Sequence, residues 1–223
     1  MFLIVVAVFA LGSLTAMDTR QSSSPRGRDL ELIAASAVGD AGVVRRRLAE
    51  GASVRTTDAG GRTALVAAAY GKHNDVARLL IRAGADVNSQ DDTRQSAYLI
   101  ATADGNVELL RMALDAGADV RSLDSYNGTG LIRAADRGHV EVVRELLKTP
   151  IDVNHVNRLG WTALLEAILL GDGGPRHVEV VGLLLEGGAD PNLADAVGVT
   201  PLEHARRRGL AEMVGLLEQA GGR

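Results

Sequence analysis

The chain has 223 residues, 46% hydrophobic and 23% charged, a composition that predicts a folded protein and excludes a disordered one. Its net charge of −4 excludes the strongly basic face that nucleic-acid binding requires, so no nucleic-acid partner is expected. Cysteine is absent, which excludes disulfides, thiolate metal sites and a cysteine nucleophile. Aromatic residues make up only 3%, so the core must consist of Ala, Leu and Val, which favours thin helical layers.

The N-terminal segment, residues 1–16, is predicted to be a signal peptide. It contains an apolar run from Phe2 to Leu11 and ends in the small-residue site Leu14-Thr15-Ala16, although no positive charge precedes the run. An uncleaved membrane anchor and a wrongly chosen start codon are the alternatives. Residues 17–28 are predicted to be a flexible linker. We therefore expect an exported protein, periplasmic or secreted, which is free of the membrane after cleavage.

A repeat of 33 residues organises the rest of the chain. Asp58, Asp91, Asp124 and Asn157 follow one another at that interval, and Asp195 comes 38 residues after Asn157. The five extra residues are 172–176, between two helical patterns. Six units are predicted: an N-terminal cap at 29–57, four full units at 58–90, 91–123, 124–156 and 157–194, and a C-terminal cap at 195–223.

Each full unit has the same internal order. A turn-rich opening leads to a helix-capping hydroxyl residue such as Thr63, and a short Ala-rich helix follows. A glycine such as Gly138 ends that helix, and a second helix carries apolar residues at helical spacing. A turn such as Gly188-Ala189-Asp190-Pro191-Asn192 closes the unit. Each unit therefore predicts two helices, with one apolar face buried against the next unit.

This unit resembles the ankyrin repeat. The opening Thr200-Pro201-Leu202, the turn Gly138-His139 and the run Leu183-Leu184-Leu185 match its consensus most closely. The resemblance covers residues 29–223 and implies an all-α ankyrin-repeat solenoid of stacked helix-turn-helix units with β-hairpin-like loops. One departure is Arg94, which stands where the turn glycine is expected, so we expect a reshaped loop there. A second is Gly71, which stands one place earlier than the repeat predicts. A third is Thr149-Pro150-Ile151, which replaces the Gly-Ala close of the fourth unit.

The chain shows no local pattern for catalysis, for a metal or for a cofactor. His73, His139 and His177 occupy the turn position of the repeat, where the imidazole is expected to hydrogen-bond to loop backbone. His155 and His204 are single, and no His or carboxylate pair has metal-ligand spacing. The glycine-rich residues 171–176 lack the Gly-Lys-Ser/Thr ending of a phosphate loop and follow a helical pattern, which favours a lengthened turn between helices.

The remaining candidate is a surface. In an ankyrin stack the loop tips and the exposed ends of the first helices face one concave side, which implies a protein-binding groove. Tyr, Trp and Arg are the residue types that dominate such interfaces. The candidate partner-binding residues are Arg62, Tyr70, Asp92, Gln95, Asp104, Tyr126, Asn127, Asp136, Arg137, Arg158, Trp161 and Arg207. Trp161 has an alternative role, packing on its neighbouring loop to stabilise the stack.

Within residues 124–154, comparison with the other units leaves few residues free to determine specificity. The residues predicted to lie at freely varying positions of the repeat are Tyr126, Asn127, Asp136 and Arg137. The other residues of this stretch are predicted to belong to the scaffold.

The predicted function is binding of another protein in the cell envelope by a monomeric, non-enzymatic scaffold. Exported bacterial ankyrin-repeat proteins imply an alternative, an accessory or protective factor for a periplasmic enzyme such as a catalase in oxidative-stress defence. Catalysis by the chain itself is the third possibility, and it would depend on His155 and His204.

Overall fold

The computed structural model describes residues 24–223, which form twelve helices. In chain order they are α1 (Pro25–Val38), α2 (Ala41–Ala49), α3 (Ala64–Tyr70), α4 (Asn74–Arg82), α5 (Ala97–Asp104), α6 (Val107–Asp115), α7 (Gly130–Asp136), α8 (Val140–Leu147), α9 (Ala163–Leu169), α10 (Pro175–Glu186), α11 (Pro201–Arg207) and α12 (Ala211–Gln219). Residues 24–223 contain no strand, and their one isolated bridge joins Thr57 and Thr63. The prediction of an all-α fold is confirmed. The predicted signal peptide lies outside the described residues.

The described residues divide into two compact units, a first unit that ends at Asp86 and a second unit, Val87–Arg223. In the first unit, α1 packs on α3 and α2 packs on α4. In the second unit, α5, α7, α9 and α11 pack on one another in chain order, and α6, α8, α10 and α12 do the same. Each predicted repeat therefore supplies one helix pair, whose first helix we call the inner helix and whose second we call the outer helix. Each unit stacks its own pairs.

The first helix of every full repeat begins at a hydroxyl cap, as predicted. The Thr63 hydroxyl accepts a hydrogen bond from the Val66 amide at 3.2 Å, which satisfies an amide that the helix itself leaves free. The hydroxyls of Ser96, Thr129, Thr162 and Thr200 likewise accept a hydrogen bond from the amide three residues further along the chain. Residues Ala64 to Ala69 of helix α3 are all buried, because small side chains let neighbouring layers approach closely.

The linker prediction is wrong for residues 25–28, which form the first turn of α1. The Ser24 hydroxyl accepts a hydrogen bond from the Gly27 amide at 2.9 Å, and Pro25 at the first helical position has a φ already suited to a helix. The Ser-Pro pair is therefore a helix start. Residues 17–23 lie outside the described residues.

The five-residue loop tips share one backbone shape, and the expected reshaping at Arg94 does not occur. The Asp91 amide donates to the Gln95 carbonyl at 2.9 Å, as the Asp58 amide donates to the Arg62 carbonyl at 3.0 Å. Arg94 adopts a φ of +62°, close to the +73° of Gly61 at the equivalent position. The tip hydrogen bonds therefore hold a non-glycine residue in the left-handed region, where its Cβ is strained.

Because of this strain, Arg94→Gly is expected to raise the free energy of unfolding by about 0.5–1 kcal/mol, the relief of strain outweighing the added freedom of the unfolded chain. Urea unfolding of the two proteins measures the difference. Asp92→Gly is the matched control in the same tip, because Asp92 has no positive φ and should show no gain. Equal effects of the two substitutions would contradict the strain.

The asparagine that closes a repeat joins that repeat to the next one. The Asn88 amide donates to the Gly117 carbonyl at 3.1 Å and accepts from the Asp119 amide at 2.8 Å. Asn154 and Asn192 make the same pair of bonds at later joins. Between the repeats 91–123 and 124–156 the equivalent residue is Arg121. It makes an ion pair of 3.0 Å with Asp119 of its own repeat instead of bonding to the next one. The repeat 124–156 is also the one in which Thr149-Pro150-Ile151 replaces the Gly-Ala close. The change from Asn to Arg121 and the change in the close therefore occur at the same pair of repeats.

Candidate protein-binding surface

Two adjacent loop tips of the second unit, residues 124–128 and 157–161, are bonded directly to each other. The Arg158 amide donates to the Tyr126 carbonyl at 2.9 Å, and the Arg158 guanidinium donates to the Ser125 carbonyl at 2.9 Å. The His155 ring lies 2.7 Å from the Asn127 carbonyl, through Nε2. These contacts hold the two tips in one fixed arrangement.

Tyr126 is the prominent aromatic side chain of these tips. Its side chain is 60% exposed, whereas Tyr98 in the same unit is fully buried. The Tyr126 amide donates to Asp124 Oδ1 at 2.8 Å, so the backbone that carries the exposed ring is fixed. Trp161 is half-buried, which is intermediate between the packing role and the binding role predicted for it.

Two of the four residues predicted to be free in residues 124–154 have scaffold contacts instead. Asn127 has a φ of +60° and fills the left-handed position of its tip, which an asparagine tolerates better than most residues. Arg137 Nη1 donates to the Ala103 carbonyl at 2.9 Å, at the end of the preceding inner helix. Both departures from the repeat therefore have a structural explanation, and Tyr126 and Asp136 remain the better candidates.

The other predicted surface residues are spread over both units. Arg62 and Tyr70 belong to the first unit, where Arg62 pairs with Asp58 at 2.7 Å and Tyr70 is 44% exposed. In the second unit Asp92 is exposed, Gln95 and Asp104 are half-buried, and Arg207 pairs with Glu203. The candidates most firmly brought together are Tyr126, Arg158 and Asp136.

A series of polar pairs links tip to helix in the last three repeats. In each of these repeats the first residue of the loop tip contacts a polar side chain of the inner helix, nine residues further along the chain. The pairs are Asp124 with Arg133 at 3.7 Å, Asn157 with Glu166 at 2.7 Å, and Asp195 with His204 at 2.8 Å. The equivalent residues in earlier repeats are Ala67 and Ile100, so the fold itself does not require a polar residue there.

The first two of these pairs line a cleft of about 170 Å³, which we call the Glu166 cleft. Its polar floor contains Asp124, Arg133, Asp136, Asn157 and Glu166. Its apolar rim is formed by Tyr126, Leu159 and Leu170, which are 60%, 49% and 52% exposed. All of these residues belong to the second unit.

Glu166 is the most perturbed acid of the cleft. The residue is 5% exposed, and burial raises the pKa of its carboxyl to about 7. The amide of Asn157 and the guanidinium of Arg133 oppose this increase in the pKa, whereas Asp136 and Asp124 add to it. Asn157 replaces the aspartate of the other tips. Its amide donates a hydrogen bond to the Glu166 carboxylate, which an ionised aspartate could not do.

The sequence-based search missed Glu166, Leu159 and Leu170. A signal for Glu166 was present, because an acid stands where the repeat elsewhere has Ala67 or Ile100, and it coincides with the Asp-to-Asn change at Asn157. No pattern could have identified the two leucines, since their exposure depends on how the neighbouring repeats pack.

The histidines behave as scaffold residues. Nε2 of His139 lies 3.0 Å from the Ala103 carbonyl, and Nε2 of His177 lies 3.1 Å from the Asp136 carbonyl. Both rings therefore contact backbone as predicted, but the carbonyls belong to the last turn of α5 and of α7 and not to a loop. Burial lowers the pKa of His139 below its ordinary value. His204 is held by Asp195. Among residues 24–223 there is no group of three or more His, Asp or Glu side chains placed to hold a metal ion.

The glycine-rich insertion is a lengthened turn between α9 and α10, as predicted. Helix α10 begins at Pro175 with Gly174 as its N-terminal cap. Asp172 Oδ1 accepts from the Gly174 amide at 2.9 Å and lies 2.7 Å from Nδ1 of His177. Within the part of the chain that the structure describes, no helix has the length and apolar character to cross a bilayer.

Comparison with known proteins gives one consistent result. A family model for ankyrin repeats, described as three copies, matches residues 32–124, 98–195 and 131–221. An ankyrin repeat domain from Acinetobacter baumannii AYE is 48% identical, with a TM-score of 0.84, and the match covers 86% of this chain and 98% of that domain. The ankyrin repeat protein EF0377 is 34% identical, with a TM-score of 0.81, over 84% of this chain and 96% of EF0377.

Two further relatives match less closely or over a shorter stretch. The ankyrin repeat domain of Bcl-3, a member of the IκB protein family, is 27% identical, with a TM-score of 0.76, over 86% of each chain. The ankyrin repeat protein YahD of Escherichia coli K12 is 57% identical over 58 residues, which are 26% of this chain and 29% of YahD. The chain therefore matches less than a third of the length of YahD.

Proposed function

The chain belongs to the ankyrin-repeat family, and from that premise we propose that it is a protein-binding scaffold that acts as a monomer. Ankyrin repeats generally mediate protein–protein interaction through loops and helix ends on one face. The observation that carries the proposal is the exposed Tyr126 ring on a tip that Arg158 bonds to its neighbour.

The mechanism is rigid presentation. Tyr126 and Arg158 are held by backbone bonds that are already formed in the free protein. Docking therefore orders few groups, and less of the interaction energy is lost to conformational entropy. Binding without catalysis is part of the proposal, because the two isolated histidines, His155 and His204, are both held by scaffold contacts.

We also propose that the partner is a protein of the cell envelope. The support is the apolar run from Phe2 to Leu11 in the sequence. N-terminal sequencing of the protein from an envelope fraction tests whether the predicted signal peptide is cleaved. A mature chain that still begins at Met1 would refute the cleavage.

Alanine at Tyr126, Arg158 and Trp161 together is expected to weaken partner binding by at least about thirtyfold, because Tyr, Trp and Arg are the residues that dominate interface energies. The partner is captured from envelope extract with the parent protein, purified, and titrated against both proteins by calorimetry. The matched control is alanine at three exposed residues of the outer helices, Arg111, Glu141 and Arg144, which should bind the partner as the parent does. A folded tip variant with unchanged affinity would refute the proposed surface.

A further inference from the structure

The Glu166 cleft combines an apolar rim with an acidic floor. Large apolar side chains that stand about half exposed around one depression indicate a contact surface, since soluble proteins seldom group them without a partner. The volume of about 170 Å³ is below the roughly 300–1,000 Å³ of small-molecule sites. The cleft is therefore of a size to take one side chain of a partner.

The charges of the floor define the kind of side chain. Three carboxyls, those of Asp124, Asp136 and Glu166, share the floor with one guanidinium, that of Arg133. Nε of Arg133 lies 3.7 Å from Asp124 Oδ2, an ion pair without a hydrogen bond. Three carboxyls face this one guanidinium, so the net charge of the floor disfavours an incoming carboxylate. An incoming cation would be attracted by the same group.

Glu166 is the acid of the floor that forms no salt bridge in the described residues, although the charge of Arg133 also acts on it. Asp124 accepts from the backbone amides of Tyr126 and Gly128, both at 2.8 Å, in addition to its contact with Arg133. Asp136 lies 3.8 Å from Nε of Arg137. The hydrogen-bond donor to Glu166 is the neutral amide of Asn157. A cation is therefore the missing counterpart of Glu166.

We propose that the Glu166 cleft is the anchor pocket for a lysine or arginine side chain of the partner protein, with the cationic head at Glu166 and the apolar stem against Tyr126, Leu159 and Leu170. The proposal deepens the proposed function and rests on it. Long basic side chains have this division into an apolar stem and a charged head. Recognition by the cleft would make a basic residue the centre of the partner's binding segment.

The test is titration of the ¹⁵N-labelled full chain with N-acetyl-L-arginine amide and N-acetyl-L-lysine amide at millimolar concentration and at pH 8, above the Glu166 pKa of about 7, so that the carboxyl is ionised. Saturable shifts are expected at the amides of Tyr126, Gly128 and Leu159. N-acetyl-L-citrulline amide, which matches arginine in shape but carries no charge, is expected to leave these amides unshifted. Absence of shifts with both cations, or equal shifts with citrulline, would overturn the proposal.

Glu166→Gln tests the role of the carboxylate. The glutamine keeps the size of the side chain, and the variant is expected to bind the two cationic probes at least about tenfold more weakly, as is typical for loss of a charged hydrogen bond. Glu212→Gln makes the same charge change at an exposed site on α12 and should bind as the parent does. Equal affinity of the Glu166→Gln variant and the parent would also overturn the proposal.

The outcomes separate this proposal from the proposed function. If the partner is lost with the Tyr126, Arg158 and Trp161 variant but the cationic probes do not bind, the surface stands and the anchor pocket fails. If the cationic probes bind through Glu166 but partner binding is unchanged in the Tyr126, Arg158 and Trp161 variant, the cleft binds cations, but the proposed surface fails and so does the use of the cleft as an anchor for the partner.

Discussion

Glu166→Gln is expected to raise the free energy of unfolding by about 2–3 kcal/mol at pH 8 and to change it little at pH 4. Burial raises the pKa of the carboxyl to about 7 in the folded protein, from an ordinary value of 4.5. Each unit of pKa difference corresponds to about 1.4 kcal/mol. A glutamine keeps the neutral form that the folded protein prefers.

The sign follows from proton binding. Between pH 4.5 and 7 the folded chain holds the Glu166 proton and the unfolded chain does not. The Glu166 contribution to stability therefore falls as the pH rises through this window, and it is constant on either side. Urea unfolding of parent and variant from pH 4 to 8 measures the difference. The lowered pKa values of acids such as Asp58, Glu145 and Asp195 affect both proteins equally, so they cancel.

Glu212→Gln, which changes an exposed acid, is the control and should give a difference that does not vary with pH. A gain from Glu166→Gln that is the same at pH 5 and pH 8 would show that the carboxyl is not destabilised by burial.

Gly130→Ala is expected to destabilise the protein by about 2–3 kcal/mol. A Cβ at Gly130 would lie 2.6 Å from the Tyr98 hydroxyl oxygen and 2.9 Å from Thr102 Cγ2, inside a closely packed core. Tyr98 occupies the position that Leu65 and Leu131 hold in neighbouring repeats, and it is fully buried. The missing Cβ of Gly130 therefore makes room for the larger ring.

A double-mutant cycle isolates this contact. In a Tyr98→Leu background, Gly130→Ala should lose most of its effect, since the oxygen that it would strike is gone. Tyr98→Leu also removes a hydroxyl for which the described residues supply no hydrogen-bond partner. Gly215→Ala in α12 is the control, because its Cβ would meet nothing within 4 Å, and it should stabilise the helix by about 0.5–1 kcal/mol. An unchanged effect of Gly130→Ala beside leucine would contradict the fit.

Most of the fold could be predicted because the signals are local and repeated. The hydroxyl cap at Thr63 and the helix-ending Gly138 each act within one turn of chain, so the sequence alone determines them. The two wrong predictions, at Arg94 and at residues 25–28, also concern local signals, but each has its own cause. At Arg94 the hydrogen bonds of the tip outweighed a residue preference, and at Pro25 a composition reading hid a capping signal.

The candidate site was only partly predictable. Tyr126 and Arg158 were found because the repeat offsets place them at tips. The scaffold role of Arg137 depends on a contact with Ala103 in the preceding repeat, which no local pattern describes. The exposure of Leu159 and the burial of Glu166 likewise depend on tertiary packing.

The energetic position of Glu166 supports the binding account. The repeats with Ala67 and Ile100 at this position fold without an acid there, so a buried carboxyl that destabilises the fold has no structural need. Residues that reduce stability in this way are concentrated at functional sites. A cation from a partner would supply the interaction that the free protein lacks.

The central claim is that the partner docks on the tips of residues 124–128 and 157–161. Photo-cross-linking tests it most directly, with benzoylphenylalanine placed at Tyr126 or Arg158 and, as a control, at Glu141 on outer helix α8, which is exposed. One and the same protein is expected to be cross-linked from both tip positions and not from position 141. Cross-linking of that protein from position 141 alone would contradict it.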